Sequence, residues 1–172
     1  MTAWTCATCG EAHSGLTMVF GPTAPDPWWL ATDAEQADGE LNADMCVLPG
    51  IDGTRHYFVR GHIEIPVLDD GVGTFVWSVW VSLSQASMSK QVAHWDDPAR
   101  ARLEPMFAWV CTRLPYEPTT SPMAARLHTR EPGVVPWIEL HPELDHPLVT
   151  EQLSGITMHR VAEINAELRD RR

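Results

Sequence analysis

The chain has 172 residues, of which 44% are hydrophobic and 20% are charged, so it can bury a core and disorder is not the default expectation. Its net charge of −11 argues against binding to a nucleic-acid backbone or to an anionic membrane surface. We therefore expect a single domain spanning 1–172, with a protein or small-molecule partner, no nucleic acid and no membrane.

The N-terminal part of the chain differs in charge from the rest. No Lys or Arg precedes Arg55, whereas Asp and Glu recur there. This acidic third could favour cations or a basic partner, although a solvated acidic face is the simpler interpretation. The start, MTAWTCATCG, lacks the basic and apolar stretches of a signal peptide, and no apolar run approaches the roughly 20 residues that span a bilayer. These features predict a cytoplasmic location, where thiols stay reduced.

The first 50 residues predict loops and one short strand. Residues 1–16 are punctuated by glycine and carry two cysteines, which indicates a loop resembling a zinc knuckle. Three prolines in 21–29 argue against a regular helix or a central strand. The acidic stretch 31–44 fits a short surface helix or a solvated loop, and the apolar run MCVLPG at 45–50 predicts a strand.

The stretches 55–68 and 74–84 predict an antiparallel hairpin, because both alternate with a period of two and a Gly-rich turn joins them. One face should be buried, and its members are Val59, Ile63, Ile65, Phe75, Trp77 and Val79. The opposite face of the first strand carries His56, Phe58, Arg60, His62 and Glu64 and is expected to be half-open.

Two helices are predicted after this hairpin. Met88, Val92 and Trp95 have helical spacing, and Asp96-Asp97-Pro98 should end that helix. A second apolar stripe begins after Pro105, runs along 106–114 and ends at Pro115.

The last third predicts two strands and two helices. The strands are 123–130 and 135–142, and the helices are 148–154 and a segment after Gly155 that Thr157 can cap. Strands followed mostly by helices indicate an α+β fold: an antiparallel sheet with helices packed on one face and a zinc-knuckle-like loop at the N-terminus. Within it, 1–16 forms the metal loop, 44–140 the sheet and helices, and 147–170 the C-terminal helices.

The order of several segments resembles the bacterial family known as domain of unknown function 2199. These segments are CATCGEAHSGL, DMCV at 44–47, FVRGHIEIPV, VWVSLS, WDDP, FAWVCTRLP and HPLVTEQLSGIT. The resemblance covers nearly the whole chain and implies a bacterial protein, but the family name implies no substrate and no catalytic residue. The chain departs from the expected pattern at Cys111, which reduces the chance that this thiol is functional.

The sharpest chemical signal is CATCG at 6–10. Two thiolates at this spacing can chelate one Zn²⁺, and Gly10 permits the positive φ that such a turn needs. A redox pair would be expected at the start of a helix, and GEAHSG after Cys9 is poor helix material. Two buried, inert thiols are the remaining alternative.

A tetrahedral zinc site needs two further ligands. His13 lies in the same loop, and Cys46 opens a strand that could pass beside it. The predicted metal ligands are therefore Cys6, Cys9, Cys46 and His13, with His146 as a substitute. For Cys46 the alternative is a small buried hydrophobe, and for His13 a solvent-exposed loop residue.

A second candidate site is the outer face of the hairpin. Arg60 and Glu64 could flank a shared cavity, and His62 and Glu64 alternate correctly for metal ligands on a strand. A wet sheet face with a charge network is the more common arrangement. The sequence predicts a small zinc-binding protein that acts as a binding or accessory module. The alternative is an enzyme that uses the Arg60/Glu64 face on a small polar substrate, with His62, His146 or Glu151 assisting.

Overall fold

Ten β-strands and five α-helices follow one another in the part of the chain that the computed structural model describes, namely residues 4–6, 8–69 and 71–170. The strands are β1 Trp4–Thr5, β2 Ala12–His13, β3 Val19–Phe20, β4 Glu40–Leu41, β5 Met45–Pro49, β6 Arg55–Pro66, β7 Thr74–Leu83, β8 Met106–Val110, β9 Met123–His128 and β10 Trp137–Leu140. The helices are α1 Asp26–Leu30, α2 Asp33–Asp38, α3 Gln85–Ala93, α4 Pro147–Ser154 and α5 Met158–Asp170, with short 3-10 helices at Ile51–Gly53 and Pro98–Arg102. Among these described helices, none has the length and apolar character required to cross a membrane.

Strands β6 to β10 form a closed barrel. Each pairs antiparallel with the next strand in the chain, and β10 returns to pair in parallel with β6. At the closure Trp137 lies opposite His62, and the His62 amide donates a hydrogen bond to the Pro136 carbonyl at 2.8 Å. Gly61 allows this approach, because a Cβ at that position would lie 2.4 Å from side-chain carbons of Ile138. A larger residue at position 61 would force β10 or the Ile138 side chain to move.

The sheet continues beyond the barrel from β6 and β7. Strand β6 has 12 residues, so its first half pairs with β5 and its second half reaches β10. Strand β5 pairs in turn with β4, and β3 pairs in parallel with β7. The result is an eight-stranded sheet whose central five strands are closed.

The main hydrophobic core fills the barrel. All six residues predicted to be buried in the hairpin belong to it, which confirms that prediction: Val59, Ile63, Ile65, Phe75, Trp77 and Val79. Ile63 lies opposite Trp77 in the antiparallel register. The rings of Phe75 and Trp77 pack edge to face, with their centroids 5.1 Å apart. Helix α5 adds Val161 and Ile164 to the same core.

The predicted fold class, an α+β sheet with helices packed on one face, is wrong, because the sheet closes into a barrel and the helices are few and short. The error arises largely at 106–114, where a helix was predicted and strand β8 is observed. Burial alternates along β8: Met106, Ala108 and Val110 are buried, and Phe107 and Trp109 are exposed. This strand lies between β7 and β9 and is required for closure.

Most of the other predicted elements are confirmed. Strands β9 and β10 lie within 123–130 and 135–142, and helix α3 overlaps the stripe that includes Met88. Helices α4 and α5 are separated at Gly155, and the Thr157 hydroxyl accepts a hydrogen bond from the Arg160 amide at 3.3 Å.

The acidic and proline-rich N-terminal segments contain two short helices. The stretch 31–44 contains α2, which begins with a capping box between Thr32 and Glu35. The prediction that 21–29 contains no regular helix is wrong for the last residues of that stretch, because α1 begins at Asp26 with Pro27 in its first turn. Proline is tolerated there, since the first turn does not use its missing N–H group.

A second hydrophobic cluster lies outside the barrel. It consists of Cys46, Leu48, Phe58 and Trp80, against which Trp28, Ala31 and Cys111 pack. The Trp80 indole donates a hydrogen bond to the Pro22 carbonyl at 3.2 Å, and the Asp26 amide donates one to the Cys111 carbonyl at 2.9 Å. The N-terminal segment thus covers part of the outer face of strands β5 to β7.

Candidate functional site

The N-terminal cysteines lie in a tight turn between β1 and β2. These two strands pair antiparallel, with Thr5 opposite Ala12. The Cys9 amide approaches the Cys6 sulfur at 3.4 Å, and the Gly10 amide donates to the Cys6 carbonyl at 2.8 Å. Gly10 has φ +74°, a left-handed conformation that glycine adopts without strain. The turn therefore holds both thiols on one side of the hairpin.

A histidine from the other end of the chain meets this turn. His159 is the second residue of α5, and its Nδ1 lies 3.3 Å from Cys6 Sγ. The ligand atoms of Cys6, Cys9 and His159 all lie within 4.8 Å of one another. No local sequence pattern indicates His159 as a partner, because 153 positions separate it from Cys6.

A fourth candidate ligand, the imidazole of His13, lies next to Cys9. His13 Nε2 is 3.4 Å from Cys9 Sγ, and the ligand atoms of Cys9, Glu11 and His13 also lie within 4.8 Å of one another. Cys9 therefore belongs to two adjoining groups that could hold a metal ion. Together they bring two sulfurs and two imidazoles into one region, which is a ligand set that Zn²⁺ prefers.

The second nitrogen of His159 contacts a carboxylate. Its Nε2 lies 3.5 Å from Glu163 Oε1, one turn further along α5. Histidines that bind a metal commonly donate their other N–H to a carboxylate, which fixes the ring and its tautomer. In this arrangement Nδ1 is directed towards the thiols and Nε2 towards Glu163.

The two thiols differ in their tendency to ionise. Burial opposes ionisation of Cys6, but hydrogen bonds from the Cys9 and Thr8 amides and from the Cys9 and His159 side chains lower its pKa to about 6. The Glu11 amide favours the Cys9 thiolate, yet partial desolvation and the neighbouring Cys6 raise the pKa of Cys9 overall. A bound dication would favour both thiolates, because it compensates the second negative charge.

The structure places Cys46 and His146 away from this region. Cys46 is fully buried in the outer hydrophobic cluster, and burial raises its pKa to about 11. His146 caps the start of α4: its Nδ1 accepts a hydrogen bond from the Leu148 amide at 3.1 Å, and its Nε2 bonds to the Pro118 carbonyl at 2.8 Å. Of the predicted ligands, Cys9 belongs to both groups, Cys6 to the one with His159 and His13 to the one with Glu11, and neither group includes Cys46 or His146.

The three candidate catalytic residues lie on the outer face of β6, and two of them have structural partners. Glu64 forms an ion pair with Arg130 at 2.7 Å, and the Arg60 guanidinium lies over the Trp80 ring at 5.4 Å. Burial lowers the pKa of His62; Glu64 opposes this effect, and Arg130 and Arg60 add to it. The face is therefore a charge network in which Glu64 is already paired.

A buried polar network connects the barrel core with α5. The sequence did not indicate that its residues form a unit. The Trp77 indole donates to the Tyr116 hydroxyl at 3.1 Å, and that hydroxyl donates to Glu151. Arg160 Nε donates to the other oxygen of Glu151 at 2.9 Å. Burial, followed by the Glu151 carboxylate, raises the pKa of Tyr116 well above its ordinary value. Since Arg160 follows His159 directly, the network ends beside the cysteine turn.

Comparison with known families identifies a family to which the chain is similar. The family model described as "Uncharacterized protein conserved in bacteria (DUF2199)" matches residues 5–156. The matched range includes Cys6, Cys9 and His13 and ends before His159. No curated protein and no solved structure matches the chain.

Proposed function

The chain belongs to this bacterial DUF2199 family, and we propose that it is a binding or accessory module whose N-terminal hairpin is fastened by a structural zinc ion. The observation that carries the proposal is the meeting of Cys6, Cys9 and His159, with His13 beside Cys9. Sulfur and imidazole ligands favour Zn²⁺ over the hard cations Mg²⁺ and Ca²⁺, which prefer oxygen.

The ligand set supports a structural role for the metal. Catalytic zinc sites generally have three protein ligands and one position for water, whereas structural sites use four sulfur or nitrogen ligands. Cys6, Cys9 and His159 form one group from the hairpin and α5, and we infer that His13, which lies beside Cys9 in the adjoining group, would supply the fourth ligand. The ion would therefore attach the hairpin to the C-terminal helix.

Elemental analysis of the protein purified without chelators tests this proposal. We expect about one zinc per chain, with a marked loss in Cys6→Ser and His159→Ala. Cys46→Ala and Cys111→Ser are the controls and should retain zinc, since these sulfurs lie in or beside the outer hydrophobic cluster. Metal-free native protein, or full zinc retention in His159→Ala, would contradict the proposed site. Zinc loss in Cys46→Ala with retention in His159→Ala would favour the ligand set derived from the sequence.

The alternative function, an enzyme that uses the Arg60/Glu64 face, has weaker support. Arg130 already forms an ion pair with Glu64, and the Arg60 guanidinium lies over the Trp80 ring. The Trp80 indole in turn donates a hydrogen bond to the Pro22 carbonyl. The remaining feature in its favour is the Arg60 Nε, which is buried without a hydrogen-bond partner among the described residues. A polar ligand that reached this atom would satisfy it.

A further inference from the structure

An apolar groove lies between α1 and the turn that follows β5. Its volume is about 670 Å³, within the usual range for sites that accommodate several side chains or a small molecule. The apolar part of its lining consists of Pro27, Leu30, Ala31, Leu48, Pro49, Ile51 and Phe58. The zinc-site residues do not contribute to this lining, so the groove is a separate feature of the surface.

Large hydrophobic side chains are exposed along the rim of the groove. Leu30 in α1 and Ile51 in the turn after β5 are each 84% exposed. Single exposed hydrophobic residues are common, but Leu30 and Ile51 come from separate segments and line the same cavity. Clustering of this kind is typical of a protein-binding surface.

The groove carries an acidic group at its rim. Glu35 lines it together with the imidazole of His56, and hydrogen bonds from the Thr32 backbone and side chain lower the pKa of the Glu35 carboxyl. Asp26 begins α1 beside Cys111, which also lines the groove. The first cationic side chain in the sequence, Arg55, is paired with Asp38 at 3.4 Å.

We propose that this groove binds a short segment of another protein that combines large apolar side chains with Lys or Arg. The apolar side chains would contact Leu30 and Ile51, and the cationic ones would face the acidic rim. A second copy of the chain would bring one acidic rim against another, and an anionic membrane would be repelled by the same charges. The inference deepens the proposed binding role and does not depend on the zinc centre.

Selection from a phage library of random short peptides tests the proposal, with the full-length wild-type protein as the target. We expect enriched peptides that contain both Lys or Arg and large apolar residues, and whose binding weakens as the salt concentration rises. The double variant Leu30→Ser/Ile51→Ser should bind them roughly tenfold more weakly or worse in fluorescence anisotropy. Leu153→Ser is the matched control, because it removes a leucine that is 66% exposed on α4 and should leave binding unchanged.

Three results would overturn this inference. The first is a selection that enriches no peptide, or that enriches acidic or uncharged ones. The second is equal binding by the double variant and the wild type, provided that their circular dichroism spectra agree. The third is self-association of the wild type that the double variant abolishes in light scattering, since the occupant would then be a second copy. Zinc content is measured on the same samples, so a zinc-free protein that still binds the peptides refutes only the zinc proposal.

Discussion

The His159 imidazole contacts a different group through each of its nitrogens. Nδ1 lies 3.3 Å from Cys6 Sγ, and Nε2 lies 3.5 Å from Glu163 Oε1. A carboxylate on the nitrogen that faces away from a metal orients the ring and increases the basicity of the coordinating nitrogen. Glu163 is therefore expected to act as a positioning residue for the proposed zinc site.

Replacing Glu163 by Gln should weaken zinc binding by about tenfold to hundredfold, because the amide leaves the ring without its negatively charged partner. Competition with a chromophoric zinc chelator measures this change. Glu167→Gln, one turn further along α5, is the matched control and should bind zinc like the wild type. Equal zinc affinity in Glu163→Gln and the wild type would show that the carboxylate does not support the site.

The sequence indicated the local part of this site better than its distant part. Cys6, Cys9 and His13 occupy one short hairpin, so their spacing alone suggests that they can meet. His159 approaches them only because α5 packs against the barrel, and no spacing rule reports such an approach. The place of Cys46 at the start of a strand predicts a ligand, whereas its sulfur lies among apolar side chains.

At the scale of single elements, the β6–β7 hairpin is the part of the barrel that the sequence pattern predicts best. Ile63 is fully buried at its centre, opposite Trp77, in a core shared with other strands and α5. Replacement by Ala would remove buried carbons and leave a cavity that the surrounding barrel cannot readily fill.

We expect Ile63→Ala to lower the free energy of unfolding by roughly 2–5 kcal/mol, as for other fully buried aliphatic residues. A denaturant titration measures this loss as a shift of the midpoint with little change in slope. Leu153→Ala, at a position that is 66% exposed, should change stability little and serves as the control. A loss well under 1 kcal/mol for Ile63→Ala would mean that the position is not tightly packed.

Strand β8 shows why hairpin patterns could be predicted and the fold class could not. The hairpin strands have 12 and 10 residues, so a period of two can be recognised along one face even though some neighbouring positions are also buried. Strand β8 has only five residues, and Met106 and Val110 satisfy both a period of two and a helical spacing of four. Pairing with β7 and β9 decides in favour of the strand, and this long-range information is absent from the local pattern.

At the scale of the whole molecule, the proposed zinc ion would join the two ends of the described chain. Its ligands come from the β1–β2 hairpin and from the first turn of α5. From His159 a series of polar contacts continues through Glu163, Arg160 and Glu151 to Tyr116. The barrel has its own hydrophobic core, so the metal is not required to hold the barrel strands together.

Removal of the metal should therefore loosen the hairpin and leave the barrel intact. Structural zinc contributes on the order of 10 kcal/mol in small peptides, but in a protein with a separate core the gain should be smaller and local. We predict that Cys6→Ser loses zinc and exchanges amide hydrogens faster in β1, in β2 and at the start of α5. Protection in β6 to β10 should stay close to that of the wild type, and Cys111→Ser should leave the whole exchange pattern unchanged. Hydrogen exchange followed by mass spectrometry measures all of these segments in one experiment.

If Cys6→Ser lost zinc while β1, β2 and α5 kept their full protection, the metal would not be structural, and a catalytic role would become the better explanation.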